Sequence, residues 1–188
     1  MPNLFPAKEE LRSAQEAVNI FSQNQGWLPN NKYWSDFLIH LELCFIKAER
    51  GCQDIKNLFQ PFQGYYKKLR REDPLLSYLK NARDAVSHSM CDIVNIEIVS
   101  KEVINVMKLS RLDGYNGKVV EERDIPMYPS KMKLKIFENG GKTYNPPTIH
   151  LNKPLLCERD PFEVAYLGIK FYDDFLKEIE RKFIPKVS

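Results

Sequence analysis

Paired cysteines are missing. The chain has four cysteines, Cys44, Cys52, Cys91 and Cys157, with no Cys-x-x-Cys step and no histidine at zinc-ligand spacing from any of them. That leaves no zinc ribbon or dithiol redox motif, and it predicts reduced thiols of the kind found in cytosolic proteins. Long apolar runs are missing too. Nothing approaches the roughly 18 consecutive apolar residues that a membrane helix needs. No charged-then-apolar segment opens the chain. A cytoplasmic protein with no membrane contact is therefore expected. Charge of one sign is not in large excess: the net value of +3 permits a nucleic-acid partner without demanding one. The stretch "DGYNGK" (Asp113 to Lys118) is a turn without the lysine-serine half of a phosphate loop, so it is given no nucleotide role. No residue pattern calls for a metal or a cofactor. Linkers, repeats and low-complexity segments are also lacking, so residues 1–188 are expected to form one domain.

What is present is an ordinary globular composition. With 188 residues, 43% of them hydrophobic and 28% charged, the chain can bury a core without disulfide or metal staples. Apolar residues at helical spacing (Leu11, Ala14, Val18, Phe21) predict a first helix over 6–25, ended by Gly26. The strongly apolar stretch 32–49 predicts a second, central helix, with Asn31 as its cap. A third is expected over about 53–70, kinked or broken at Pro61. Asp73 and Pro74 open a fourth that runs to about His88, and Asp160 and Pro161 open a last one to Phe183.

Between them the texture turns β-like. "IVNIEIVS" and "VINVMKLS" are rich in β-branched residues, and "KMKLKIFE" alternates Met132, Leu134 and Ile136 with lysines. "ENGGK" offers hairpin chemistry, with "YNPPTIHL" as the return strand, at an edge or starting late because of Pro146 and Pro147. The expected fold is thus mainly α (α+β): an up-and-down helical bundle from 6–90 and 161–183, with a small antiparallel β section over about 92–156 inserted before the last helix.

The chemistry-bearing stretch is "LLSYLKNARDAVSHS", Leu75 to Ser89. Leu75, Leu79, Ala82 and Val86 make one apolar stripe. With Leu75 at zero and about 100° per residue, Arg83 falls near 80°, on the border of that stripe. Asn81, Asp84 and His88 fall at about 180° to 240°, on the far face. Asp84 and His88 stand at i and i+4, so the carboxylate is in reach of the imidazole. A histidine moves protons near neutral pH, and an arginine offers a permanent cation with a planar fork of donors. Together they suit metal-independent RNA cleavage. The bland alternative is a surface ion pair with a helix-end histidine favoured by the macrodipole.

Arg83, the polar Asp84, three variable residues and His88 resemble the motif of the HEPN superfamily (higher eukaryotes and prokaryotes nucleotide-binding), and the approach "LLSYLKNA" resembles that of uncharacterised bacterial HEPN-like proteins. The resemblance covers about residues 31–90 and, more loosely, the last helix. It implies a dimer whose two motifs face one another across a shared cleft and cut RNA without a metal. It further implies Arg83, Asp84 and His88 as catalytic residues, and it is compatible with a toxin or defence role in which an antitoxin or other protein is a partner. The alternative is a non-catalytic HEPN-like module that binds a nucleotide, an RNA or a protein.

Just before the motif, "YYKKLRRED" interleaves aromatic and basic residues. Lys67, Lys68, Arg70 and Arg71, with Lys80 and Asn81 on the motif helix, are the candidate RNA contacts. A solvated helix end, paired with Glu72 and Asp73, is the competing reading. His40 in the apolar second helix reads as structural, as does His150, which nothing nearby in sequence partners. Trp27, Tyr33, Trp34 and Phe37 read as core.

Overall fold

Small side chains set how closely the first two helices approach. Helix α1 (Phe5–Gln23) turns Ala7, Leu11, Ala14, Ala17 and Phe21 inward, and the alanines let α2 (Asn31–Gly51) lie close along it. Helix α2 answers with Trp34, Phe37, Leu38, Leu41, Cys44, Phe45 and Ala48. The computed structural model describes residues 2–23, 31–89, 92–98, 105–112, 119–127, 130–157 and 159–184. Gly26, Trp27, Cys91 and the "DGYNGK" turn lie outside them. Trp34 and Phe37 are core residues, 1% and 0% exposed. His40 is structural as well: its Nδ1 meets Glu10 Oε2 at 2.5 Å, and Lys47 donates to the other oxygen of the same carboxylate.

A short 3-10 turn (Gln53–Ile55) leads into α3 (Lys56–Glu72). Pro61 does not break this helix. Its missing N–H deprives only the carbonyl of Asn57, an exposed residue of the first turn, where water can take over. Helices α4 (Pro74–Ser89) and α5 (Pro161–Phe183) keep the expected bounds. Asp160 caps α5 by accepting from the Phe162 N–H at 2.8 Å. Aromatic rings join α3 to α5: Phe62 and Tyr66 lie 6.0 and 4.7 Å from the Phe175 ring. At Gly168 on α5 a Cβ would meet Leu79 Cδ1 at 2.7 Å, so a larger residue would displace that side chain where α5 presses on α4.

The protein is mainly helical, with small strand pairs before the last helix. Strand β1 (Val94–Ile98) pairs with β4 (Ser130–Leu134). Antiparallel pairs join β5 (Phe137–Asn139) to β6 (Lys142–Tyr144) and β7 (Ile149–His150) to β8 (Lys153–Pro154). The chain divides into two compact units, Met1–Asn95 with Lys133–Ser188, and Ile96–Met132. The second holds the antiparallel ribbon of β2 (Asn105–Leu112) and β3 (Val119–Met127). No helix among the described residues is long and apolar enough to cross a membrane.

Three local expectations are corrected. The Met132–Leu134–Ile136 alternation ends at Leu134. Ile136 is 53% exposed and Phe137 takes the inward place, its ring 5.1 Å from Tyr78 and 5.3 Å from Tyr144. The return strand of the "ENGGK" hairpin is Lys142–Tyr144 alone. The prolines that follow have no N–H to continue a ladder, and Ile149–His150 pair with β8 instead. Asn31 is the first residue of α2, and its side-chain oxygen accepts from the Val94 N–H at 3.3 Å instead of capping that helix.

Gly51 offers a direct check on the packing of the N-terminal segment. A Cβ there would overlap the Asn3 carbonyl oxygen, while the Asn3 N–H donates to the Gly51 oxygen at 2.9 Å. Backbone cannot swing aside as a side chain can. Gly51→Ala is therefore expected to destabilise by about 1–3 kcal/mol. Gly64→Ala on α3, where a Cβ meets nothing within 4 Å, is expected to stabilise by up to about 1 kcal/mol. Urea midpoints of the two variants decide it; equal shifts of the same sign would mean that Asn3 does not hold this position.

Candidate functional site

Helix α4 is placed by its start. The Asp73 N–H closes α3 by donating to the Leu69 carbonyl at 2.9 Å, and its side chain opens α4 by accepting from the Leu76 N–H at 3.0 Å. The buried arc of α4 is wider than the apolar stripe alone implies. Leu76, Tyr78 and Ala85 are buried beside Leu75, Leu79 and Ala82. Tyr78 reaches out of that arc to donate its hydroxyl to the Lys135 carbonyl at 2.7 Å.

Arg83, at the edge of this arc, is half-buried, and its Nε is buried without a hydrogen-bond partner among the described residues. Its Nη1 donates to Asp84 Oδ1 at 2.9 Å. The carboxylate within helical reach of His88 is thus engaged by its sequence neighbour Arg83. His88 lies exposed in the last turn, where the macrodipole favours a cation.

The candidate RNA contacts separate. Lys67 pairs with Glu49 at 3.2 Å and Lys68 with Glu72 at 3.8 Å, both largely in solvent. Arg71 is exposed and Lys80 partly so. Asn81 donates to the Ser77 carbonyl at 2.8 Å, and its own oxygen meets Asn139 Nδ2 at 3.4 Å. Arg70 departs from the expectation. It is 5% exposed, pairs with Glu42, and sets its guanidinium 4.1 Å from the centre of the Phe45 ring. Burial works against its charge, but Tyr172 and Glu42 outweigh that and hold its pKa above the ordinary value. A charge committed to the bundle in this way cannot meet a phosphate outside it.

No family model, curated protein or solved structure matches this chain. Its chemistry has to be read from its own side chains.

One constellation has no signature in the sequence. His150, 8% exposed, brings Nδ1 to Asp73 Oδ1 at 3.0 Å, and the Leu151 N–H donates to Asp73 Oδ2 at 2.6 Å. Burial raises the Asp73 pKa, yet the His150 bond and the Leu151 and Leu76 N–H groups together bring it below the ordinary carboxylate value. Leu151 and Asn152, the two tip residues of the β7–β8 hairpin, have φ of 46° and 63°. That is the left-handed geometry a two-residue turn requires and a leucine resists. No sequence signal pairs Asp73 with His150, because 77 residues separate them. The left-handed leucine is likewise invisible before folding.

Among the described residues no three His, Cys, Asp or Glu side chains gather closely enough to share a metal ion. Burial pushes the thiols of Cys44 and Cys52 up to about 12 and about 11, which leaves both protonated and poor nucleophiles.

Proposed function

We propose that the chain is a metal-independent RNA endonuclease of HEPN type, acting as a cytoplasmic dimer in which Arg83 and His88 of each copy face those of the other. The observation that supports it is the exposed His88 imidazole, about one turn along α4 from the Arg83–Asp84 pair. In the reaction the ribose 2′-oxygen bonds to phosphorus and the bond to the 5′-oxygen breaks. His88 of one copy takes the 2′-OH proton, and that of the other gives one to the leaving oxygen. Arg83 stabilises the charge that builds on the phosphorane. The products carry a 2′,3′-cyclic phosphate and a 5′-OH. Arg71 and Lys80 stand on the solvent side to hold the phosphate backbone; Lys67 and Lys68 must first exchange their carboxylate partners. A toxin or defence role, with an antitoxin or other protein partner, belongs to the same reading.

Single-stranded RNA of mixed sequence in excess EDTA is the test. The parent is expected to cut it, and His88→Ala to be slower by about 10²–10⁴-fold, the worth of a positioned proton-transfer group. Equal rates for the two would remove His88 from the mechanism.

One observation favours the second reading, a non-catalytic module that binds a nucleotide, an RNA or a protein. Asp84 already neutralises Arg83 across 2.9 Å. On that reading RNA is retained uncut by the parent and by Arg83→Ala alike.

A further inference from the structure

Beside the Asp73–His150 pair the bundle carries a cleft of about 440 Å³, within the range of small-molecule sites. Its walls come from α3, α5 and the β7–β8 hairpin, all within one compact unit. One wall is aromatic. Tyr65 and Tyr66 lie edge to face at 5.4 Å, Phe171 follows at 5.6 Å from Tyr66, and His150 at 6.3 Å from Phe171. Leucines from the hairpin and from both helices fill the remainder.

Polar groups converge on this apolar space. Lys153 of β8 and Lys170 of α5 line it, both exposed and, among the described residues, without a carboxylate in ion-pair reach. Glu163 also lines it, but both of its oxygens are engaged, each at 2.7 Å, by the N–H groups of Leu156 and Cys157. Asp174, exposed on α5, is the remaining carboxylate of the lining. His150 is the buried polar group of the wall. Asp73 engages its Nδ1, so Nε2 is the ring nitrogen left for a ligand.

We infer that this cleft is a binding site for a small aromatic carboxylate, whose ring lies against Tyr65, Tyr66 and Phe171 and whose charge is met by Lys153 and Lys170, with His150 as the buried polar contact. Stacking on the aromatic wall selects a planar body, and two lysines without partners select an anion. The strained tip at Leu151, a residue of the cleft wall, is held by the Asp73 bond. Strain kept in place by a charged hydrogen bond next to a cavity is typical of a site built to hold its shape. The site shares no residue with the Arg83–His88 face, so it stands or falls independently of RNA cleavage.

Calorimetric titration of the full chain with 2-naphthoate, 2-naphthamide and acetate tests it. The aromatic acid is expected to saturate with a Kd of about 1 mM or tighter, the neutral amide to bind at least about tenfold more weakly, and acetate not to bind. Lys153→Ala and Lys170→Ala change exposed side chains and leave the fold intact. Together they are expected to weaken the acid by about tenfold and the amide hardly at all. His150→Gln is expected to weaken both aromatic ligands. Equal affinity for acid and amide, an unchanged acid affinity in the double lysine variant, or no saturation by the acid would each overturn the assignment.

Discussion

Glu42→Ala is expected to destabilise the fold by about 3–5 kcal/mol, the cost of stranding a buried charge. Arg70 supplies that charge. Its side chain is 6% exposed and that of Glu42 is 16% exposed. Without the carboxylate, the guanidinium keeps the Phe45 ring at 4.1 Å and its hydrogen-bonding neighbour Tyr172, and its Nε already lacks a partner among the described residues. An arginine does not escape by losing its proton, because the guanidinium stays charged across the accessible pH range. The charge must stay buried and unpaired, or α3 must loosen until water reaches it. At about 2–4 °C per kcal/mol for a chain of this size, Tm should fall by roughly 10 °C. Replacing both partners by apolar residues of similar volume, Glu42→Leu with Arg70→Met, is expected to recover most of the loss. Urea unfolding of the single and double variants at constant m-value measures this. A cost under about 1 kcal/mol for Glu42→Ala would mean that Arg70 finds solvent in the native state.

Asp73→Ala is expected to cost about 3 kcal/mol at neutral pH, summing a lost helix cap and lost hydrogen bonds to a charged acceptor. One carboxylate accepts from the Leu76 and Leu151 N–H groups and pairs with His150. Alanine leaves two backbone donors and a buried imidazole without their acceptor. Asp73→Asn keeps one acceptor oxygen for the cap and should cost less. The pH dependence separates the charge from the geometry. The folded-state pKa of Asp73 is depressed, so its charge contributes stability above the unfolded value of about 4, and that contribution is lost as pH falls through the folded value. The gap between parent and Asp73→Asn should therefore narrow in acid. Chemical denaturation across pH 7 to about pH 3 gives the comparison. A gap that stays constant over that range would show that the aspartate acts by shape alone.

On the motif helix, interactions local to the chain are legible in the sequence and packing is not. Its first turn was legible because a cap acts over three residues: Asp73 and Leu76 are close whatever else the chain does. The stripe of Leu75, Leu79 and Ala82 was legible from a period of 3.6. The added burial of Leu76, Tyr78 and Ala85 was not, because it depends on what packs against the other side of the helix. Arg83 keeps the border position that the helical period gives it, now at the edge of a wider buried arc. Asp84 bonds the residue next to it in the chain, and not the one four further on.

The basic run shows the same division. Lys67, Lys68, Arg70 and Arg71 are equivalent as letters. One helical turn sends Lys67 and Lys68 to solvent-facing carboxylates and Arg70 inward to Glu42, a partner 28 residues away.

By itself the sequence determined the class of the fold, five helices and their limits to within a few residues, and the β section placed before the last of them. Each rests on interactions between residues close along the chain: caps, periodicity, turn chemistry and the missing donors of proline. The tertiary structure alone decided that Arg70 belongs to the bundle, that His150 has a partner in Asp73, and that a cleft opens beside that pair. Those outcomes depend on contacts across 28 and 77 residues of chain. Only the packing of whole helices against one another selects which of many like charges are brought together, since at such separations the intervening chain exerts no preference between one partner and another.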